Sequence, residues 1–192
     1  DAVGEAFDKT SKILNLGYPG GPHVEKFAKL GDKNSYNLPE PIINRAGCNL
    51  SLAGLKTAVL RKSKEISSKK EKYNLAASFQ ETINKILSKK TKVAMEKFRD
   101  ETSSNSLMPF VIAGGVAANE TIRKNLKQLS TRMNFDPIFP SKEFCSDNAA
   151  MIAWAGIQRF NKKLFTDRSE NVRSRWPLDN NAPFLKGSGL KL

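Results

Sequence analysis

The chain has 192 residues, 39% hydrophobic and 27% charged, the balance of a globular protein with a real apolar core, and its formal net charge is +13. The longest apolar run, Ala149 to Ile157, falls far short of the ~20 residues a membrane helix needs, so no membrane association is expected. Two isolated cysteines, Cys48 and Cys145, form no C-x-x-C pair and so argue against a zinc ribbon; they fit a reducing compartment better than the alternative, one long-range disulfide, while the single histidine, His23, excludes a multi-histidine metal site made by this chain alone.

The chain has no initiator Met, and Asp1, Glu5 and Asp8 stand where a basic, then apolar, leader would begin; the start reads as the middle of a helix and the chain as a piece of a longer polypeptide. Ala2, Ala6, Phe7, Ile13 and Leu14 recur at near-helical spacing and predict a helix over 2–16, stopped at Gly17. Tyr18-Pro19-Gly20-Gly21-Pro22 reads as a turn, followed by a short helix through Val24, Phe27, Ala28 and Leu30 and a polar loop over 31–41. Pro41 to Asn44 is a candidate short strand, and Ser51 a candidate cap for a helix reaching about Ile66. Leu75, Phe79, Ile83, Ile86, Leu87, Val93, Ala94 and Phe98 mark one long amphipathic helix, broken by Glu101 to Ser106.

The pattern then changes. Pro109 to Ala113 suits a buried parallel strand, Gly114-Gly115 ends it, and 119–133 reads as a helix. Ile138-Phe139 suggests another strand, and 147–160 a helix. The expectation is therefore an α/β lobe over 1–162, mostly helical to about 105, then a parallel sheet with flanking helices over about 106–162, and an extended tail over 163–192.

Three constellations carry possible chemistry. In Phe110 to Asn119, a strand ends in two glycines and a helix begins, an arrangement that lets backbone approach a ligand and favours negative charge; a tight turn with a capping Asn is the plainer alternative. In Phe144 to Ala150, Asp147 opens a helix and is either a cap or a carboxylate available to a metal or hydroxyl. Glu5 and Asp8, three apart on one helix face beside Gly20-Gly21, form a carboxylate pair suited to ribose hydroxyls, or plain surface acidity. The basic runs Arg61, Lys62, Lys64, Lys69, Lys70 and Lys72, then Lys89, Lys90 and Lys92, then Arg159 to Arg175, fit either an RNA surface or a solvated lysine-rich one. His23 is assigned no role.

Taken together, Gly4-Glu-Ala-Phe-Asp-Lys9, Tyr18-Pro-Gly-Gly-Pro22, Gly54-Leu-Lys-Thr-Ala-Val59, Ala76-Ala-Ser-Phe-Gln80, Ala113-Gly-Gly-Val-Ala-Ala-Asn119 and Asp147-Asn-Ala-Ala-Met-Ile-Ala153, with the Arg173-Ser-Arg-Trp-Pro-Leu178 tail, resemble the tRNA N6-adenosine threonylcarbamoyltransferases, once described as O-sialoglycoprotein endopeptidases. The resemblance implies an actin-like, sugar-kinase-like fold with a nucleotide cleft between two lobes. It implies transfer of a threonylcarbamoyl group from threonylcarbamoyl-AMP to N6 of the adenosine beside the anticodon in tRNAs that read ANN codons. On this likeness Asp8, Gly21, Gly114, Gly115 and Asn119 match nucleotide contacts, and Glu25 a ribose contact found in some members. Asp147 matches a carboxylate that binds one divalent metal per full-length subunit, iron ahead of zinc, together with two histidines of a His-x-x-x-His motif that this chain lacks. The family's Ser-Gly-Gly loop is also missing, so the isolated chain is expected to be inactive. Implied partners are threonylcarbamoyl-AMP, tRNA and, in bacteria, a non-catalytic paralogue and a small P-loop ATPase; the implied location is the cytoplasm, with the mitochondrial matrix as alternative.

Two departures stand out: Leu50-Ser-Leu-Ala53 replaces the family's Phe-Ser-Phe-Ser, and Asn74 stands where an Asp often precedes Ala-Ala-Ser-Phe-Gln. The rival readings are an actin-like ATPase of the same fold and a non-catalytic nucleotide-binding scaffold; retention of Asp147 weighs against the scaffold. A metalloprotease has no support from one His and no His-Glu-x-x-His.

Overall fold

The structure, a computed structural model, describes residues 2–165, and the tail with Arg173 to Leu178 lies outside them. The chain divides into two units, Asp1–Asn148 and Ala149–Leu192, each described by itself. No helix among the described residues is long and apolar enough to cross a membrane.

The first unit is built on helix α4 (Lys69–Thr102), 34 residues long. Its start is fixed locally: Ser68 accepts from Glu71 N, while Glu71 accepts from the backbone N–H and hydroxyl of Ser67 and Ser68. Those donors hold the Glu71 carboxyl below its ordinary range and set a negative group at the positive end of the helix, beside Lys69, Lys70 and Lys72. Leu75, Phe79, Ile83 and Ile86, spaced one helical turn apart, are fully buried, each contributing about 1.5–3 kcal/mol by leaving water. The apolar stripe fades towards the end of the helix, where Met95 is buried and Phe98 is exposed.

Helices α1 (Val3–Leu14), α2 (Gly20–Ala28) and α3 (Ala53–Ser63) pack on this stripe through Phe7, Leu14, Val24, Leu55 and Val59. Phe7 meets Phe79 edge-on at 5.2 Å, and Phe27 stacks on Tyr73 at 4.9 Å. The polar stretch 31–41 is loop, as expected, and is tied to α4: Asp32 N donates to Asn74 Oδ1 at 2.8 Å, an acceptor an Asp would supply equally well.

Two expectations fail here. Residues 41–44 form a turn and not a strand, with Ile42 at φ 49°. No strand among the described residues pairs with this stretch; Ile43 N donates to Glu40 O at 3.3 Å and Arg45 N to Ile42 O at 3.0 Å, and just beyond them the buried Lys90 donates its ammonium to Arg45 O at 2.6 Å and Gly47 O at 3.1 Å. Ser51 does not cap α3, whose first turn opens at Leu52 with no side-chain bond.

The rest of the unit is a strand–helix–strand. Strands β1 (Met108–Val111) and β2 (Phe135–Ile138) are parallel, with Met108 beside Phe135 and Val111 beside Ile138. The two connect through α5 (Glu120–Arg132), whose Ile122, Leu126 and Leu129 join the core. The expected buried strand is only half buried: Pro109 and Val111 face solvent, because two strands leave one face of the sheet uncovered. The fold is thus mostly helical with a small parallel sheet. In the second unit, α6 (Ala149–Asn161) begins two residues later than expected, and its apolar residues, including Ile152, Trp154, Ile157 and Phe160, are all exposed.

Candidate functional site

One wall of the site is the junction of α1 and α2. Gly20 N donates to Asp8 Oδ1 at 2.8 Å across that junction. A Cβ at Gly20 would lie 2.7 Å from Phe7 O and 2.8 Å from Asp8 N, and closer still to Asp8 Cα, so the two helices touch through backbone and only glycine fits. Gly21, next in α2, faces open space, with no atom within 4 Å of a built Cβ. Glu25, one turn on, accepts from Glu120 N at 2.8 Å and so caps the start of α5. The expected Glu5–Asp8 pair does not form. Glu5 is exposed and turned to Lys9, whose ammonium holds its carboxyl below the ordinary range, while Asp8 is engaged at the helix junction.

The second wall is the turn after β1. Gly114 adopts φ 87°, ψ 172°, a region essentially reserved for glycine. A 3-10 turn over Gly115–Ala118 then leads into Asn119, the cap of α5. Asn119 Oδ1 accepts from Ile122 N at 3.1 Å, and its Nδ2 donates to Gln80 Oε1 at 2.8 Å; Gln80 Nε2 continues to Thr121 Oγ1 at 3.3 Å. Asn119 is therefore a buried cap, as the plainer alternative read from sequence has it, and also a residue of the cavity wall.

Between these walls lies a cavity of about 510 Å3, within the usual range for small-molecule sites. Asp8, Gly21, Glu25, Gly115 and Asn119 all line it, five of the seven residues singled out from sequence. Gly114 lines a neighbouring groove with Phe110 and Ile112 instead, and Asp147 lines neither. The lining also includes Lys142, Cys145 and Ser146. Lys142 is held at 2.6 Å by Glu120, which also pairs with Lys29 at 3.2 Å, and the two ammonium groups, Lys142 first, keep the Glu120 carboxyl below its ordinary range.

Lys142, Gln80 and Arg123 had no assigned role. Gln80 closes one of the quoted sequence blocks, and Arg123 stands one helical turn after Asn119, which was the available signal. Lys142 carried no signal, since only the tertiary ion pair brings it to the cavity.

Asp147 is exposed and has no hydrogen-bond or ion-pair partner among the described residues. It precedes α6 and so is not inside the helix as expected. No group of three or more His, Cys, Asp or Glu side chains among the described residues is placed to hold a metal ion. The residues present fit one carboxylate arm of a metal site and no more. Among the basic runs, Lys90 is buried under the 45–47 loop and unavailable to phosphates, and Lys62 and Lys92 are paired with Glu65 and Glu96.

A family model described as tRNA N6-adenosine threonylcarbamoyltransferase matches residues 1–154. Curated proteins of that name are similar throughout: one from Pelagibacter ubique is 54% identical over 192 residues, covering 100% of this chain and 54% of the relative. One from Rickettsia rickettsii is 48% identical over 183 residues, with 94% and 53% covered. One from Dinoroseobacter shibae is 43% identical over 197 residues, with 100% and 54% covered. The chain thus spans about half the length of the curated relatives it matches.

Proposed function

This chain belongs to the tRNA N6-adenosine threonylcarbamoyltransferase family, and from that premise we propose that it supplies one lobe of such an enzyme. The lobe has the actin-like fold, and the cavity takes the AMP portion of threonylcarbamoyl-AMP. The whole enzyme transfers the threonylcarbamoyl group to N6 of the adenosine beside the anticodon, and AMP leaves. The observation that carries this reading is the convergence of Asp8, Gly21, Glu25, Gly115 and Asn119, far apart in sequence, on one cavity of about 510 Å3.

The chemistry asked of these residues is binding and orientation. The Asp8 carboxylate keeps one oxygen on Gly20 N and offers the other to a ribose hydroxyl. Gly21 and Gly115 present bare backbone to the ligand. Asn119 retains an N–H and an oxygen lone pair beyond its bonds to Gln80 and Ile122. Held this way, the adenylate presents its acyl carbon to the incoming amine at a fixed distance, which is the proximity contribution.

Asp147 would hold a metal ion, iron ahead of zinc, with further ligands from outside this chain. Such an ion supplies Lewis-acid polarisation of an acyl oxygen when bound. Partners under this reading are tRNA, drawn in by the net charge of +13, and in a bacterium a non-catalytic paralogue and a P-loop ATPase, with the cytoplasm as the place of action.

Gly115→Val tests the reading. A Cβ there meets no protein atom within 4 Å, so the fold tolerates it, while the branched side chain occupies ligand space. In the full-length polypeptide the variant should melt like the wild type and bind AMP at least about tenfold more weakly, about 1.4 kcal/mol. Unchanged AMP affinity in the folded variant overturns the assignment.

A further inference from the structure

Among the described residues, Arg123 is the one guanidinium that reaches both the turn after β1 and the segment leading to Asp147. Its Nε donates to Ala117 O at 2.9 Å, inside the 3-10 turn. Its Nη2 donates to Pro140 O at 3.0 Å and to Cys145 Sγ at 3.4 Å, on the other side. The guanidinium also lies over the Phe139 ring, 4.7 Å from its centroid. No carboxylate pairs with it among the described residues. The cation is spent on two carbonyl oxygens, a sulfur and a ring.

That pattern is unlike a surface arginine. An exposed arginine in a lysine-rich chain usually seeks a carboxylate or stays in water, because neutral acceptors recover less of its hydration. Here the rigid fork spans two backbone segments more than 20 residues apart, 117 and 140–145, a geometry that a single ammonium cannot copy. Both segments line the cavity, through Gly115, Val116 and Ala118 on one side and Lys142, Cys145 and Ser146 on the other.

We propose that Arg123 is a positioning residue of this site: its guanidinium fixes the spacing between the Gly115–Ala118 turn and the 140–146 segment, and through it the shape of the cavity and the approach of Asp147. The proposal rests on the reading of the cavity as an adenylate site, and the two are tested separately below. Arg123 itself does not line the cavity. It acts through Ala117 and Cys145.

The two cysteines provide a readout that needs no ligand. Cys145 is buried beneath the guanidinium and Cys48 is exposed, so Cys48 serves as an internal standard. In the full-length polypeptide carrying Arg123→Lys or Arg123→Gln, alkylation by N-ethylmaleimide is followed peptide by peptide, well below the melting temperature. Cys145 should react about fivefold faster or more in both variants, with Cys48 unchanged, because the segment it sits on is no longer tied down. AMP affinity, measured by calorimetry on the same samples, should fall about tenfold or more in both.

The Lys variant is decisive because it keeps the charge and loses the fork. Wild-type AMP affinity in Arg123→Lys would show that only charge matters and overturn the proposal. A lowered melting temperature with Cys145 labelling and AMP affinity unchanged would reduce Arg123 to general stability and likewise overturn it. Should wild type fail to bind AMP, the adenylate reading fails, while Cys145 labelling still decides whether Arg123 holds the two segments together. If Arg123→Gln does not fold, Arg123→Lys carries both measurements.

Discussion

The two walls of the cavity are built by opposite means. The α1–α2 wall is a backbone contact, closed at Gly20 against Phe7 and Asp8 with no room for a methyl group. The wall after β1 is open at the backbone and held by side chains: Asn119 on Gln80, and Arg123 on Ala117 and Pro140. Glycines occur in both, yet Gly20 is a packing necessity while Gly115 is surrounded by empty space. The lesson is that a glycine-rich motif near a ligand site says nothing by itself about which glycine serves the fold and which the ligand. Distance to the neighbouring backbone separates them.

The sharpest way to break this contrast is Gly20→Ala. The added carbon overlaps backbone, which cannot rotate away as a side chain does, so α1 and α2 must part. A loss of about 3 kcal/mol or more is expected, read by denaturant unfolding. A melting temperature equal to wild type would mean that the wall is no tighter than its neighbour.

Asn119→Ala probes the side-chain-held wall and should cost about 2–4 kcal/mol. About 1 kcal/mol is the lost helix cap, and the remainder is the buried Gln80 carbonyl left without its donor. Asn119→Ser separates the two contributions, since a serine oxygen still caps a helix, while the shorter side chain loses the amide donor to Gln80 without adding a charge. Equal losses for Ala and Ser would place the whole effect on the Gln80 bond.

The smallest effect belongs to Glu120, exposed and tied to Lys142 and Lys29. Its folded-state pKa lies below the ordinary value of 4.5, so its stabilisation is present above that value and vanishes as pH falls through the lowered one. Glu120→Gln should therefore melt slightly below wild type at about pH 7, with the gap narrowing as pH is taken below 4.5 and, at neutral pH, closing in high salt. A gap that persists at low pH would assign the effect to packing.

The helices and their stripe were legible because the large apolar residues of α4, Leu75, Phe79, Ile83 and Ile86, recur one turn apart, whereas the burial of Ala76, Ala77, Ser78 and Gln80 between them comes from helices packed on more than one side. The parallel pairing was legible too, since 109–113 and 138–139 flank a helical pattern long enough for a crossover. The turn at 41–44 was not. Pro41-Ile-Ile-Asn44 has strand-like composition, yet its backbone closes on itself, Ile43 N on Glu40 O and Arg45 N on Ile42 O, and an ammonium from another element holds the carbonyls that follow. Gly21, Gly115, Asp8, Glu25 and Asn119 were found through motif order, whereas Lys142 and the Arg123 fork depend on tertiary geometry that no local pattern encodes. That the capping Asn119 also lines the cavity was likewise invisible, because sequence offered a capped turn and a ligand-facing one as alternatives.

Lys90 bears on modularity. Its ammonium ties down Arg45 O and Gly47 O from 45 and 43 positions away. The 41–47 loop is therefore not a portable part. Grafted onto another scaffold it would arrive without the cation that gathers its carbonyls, and any transplant of this stretch has to carry a lysine at the matching place on the supporting helix.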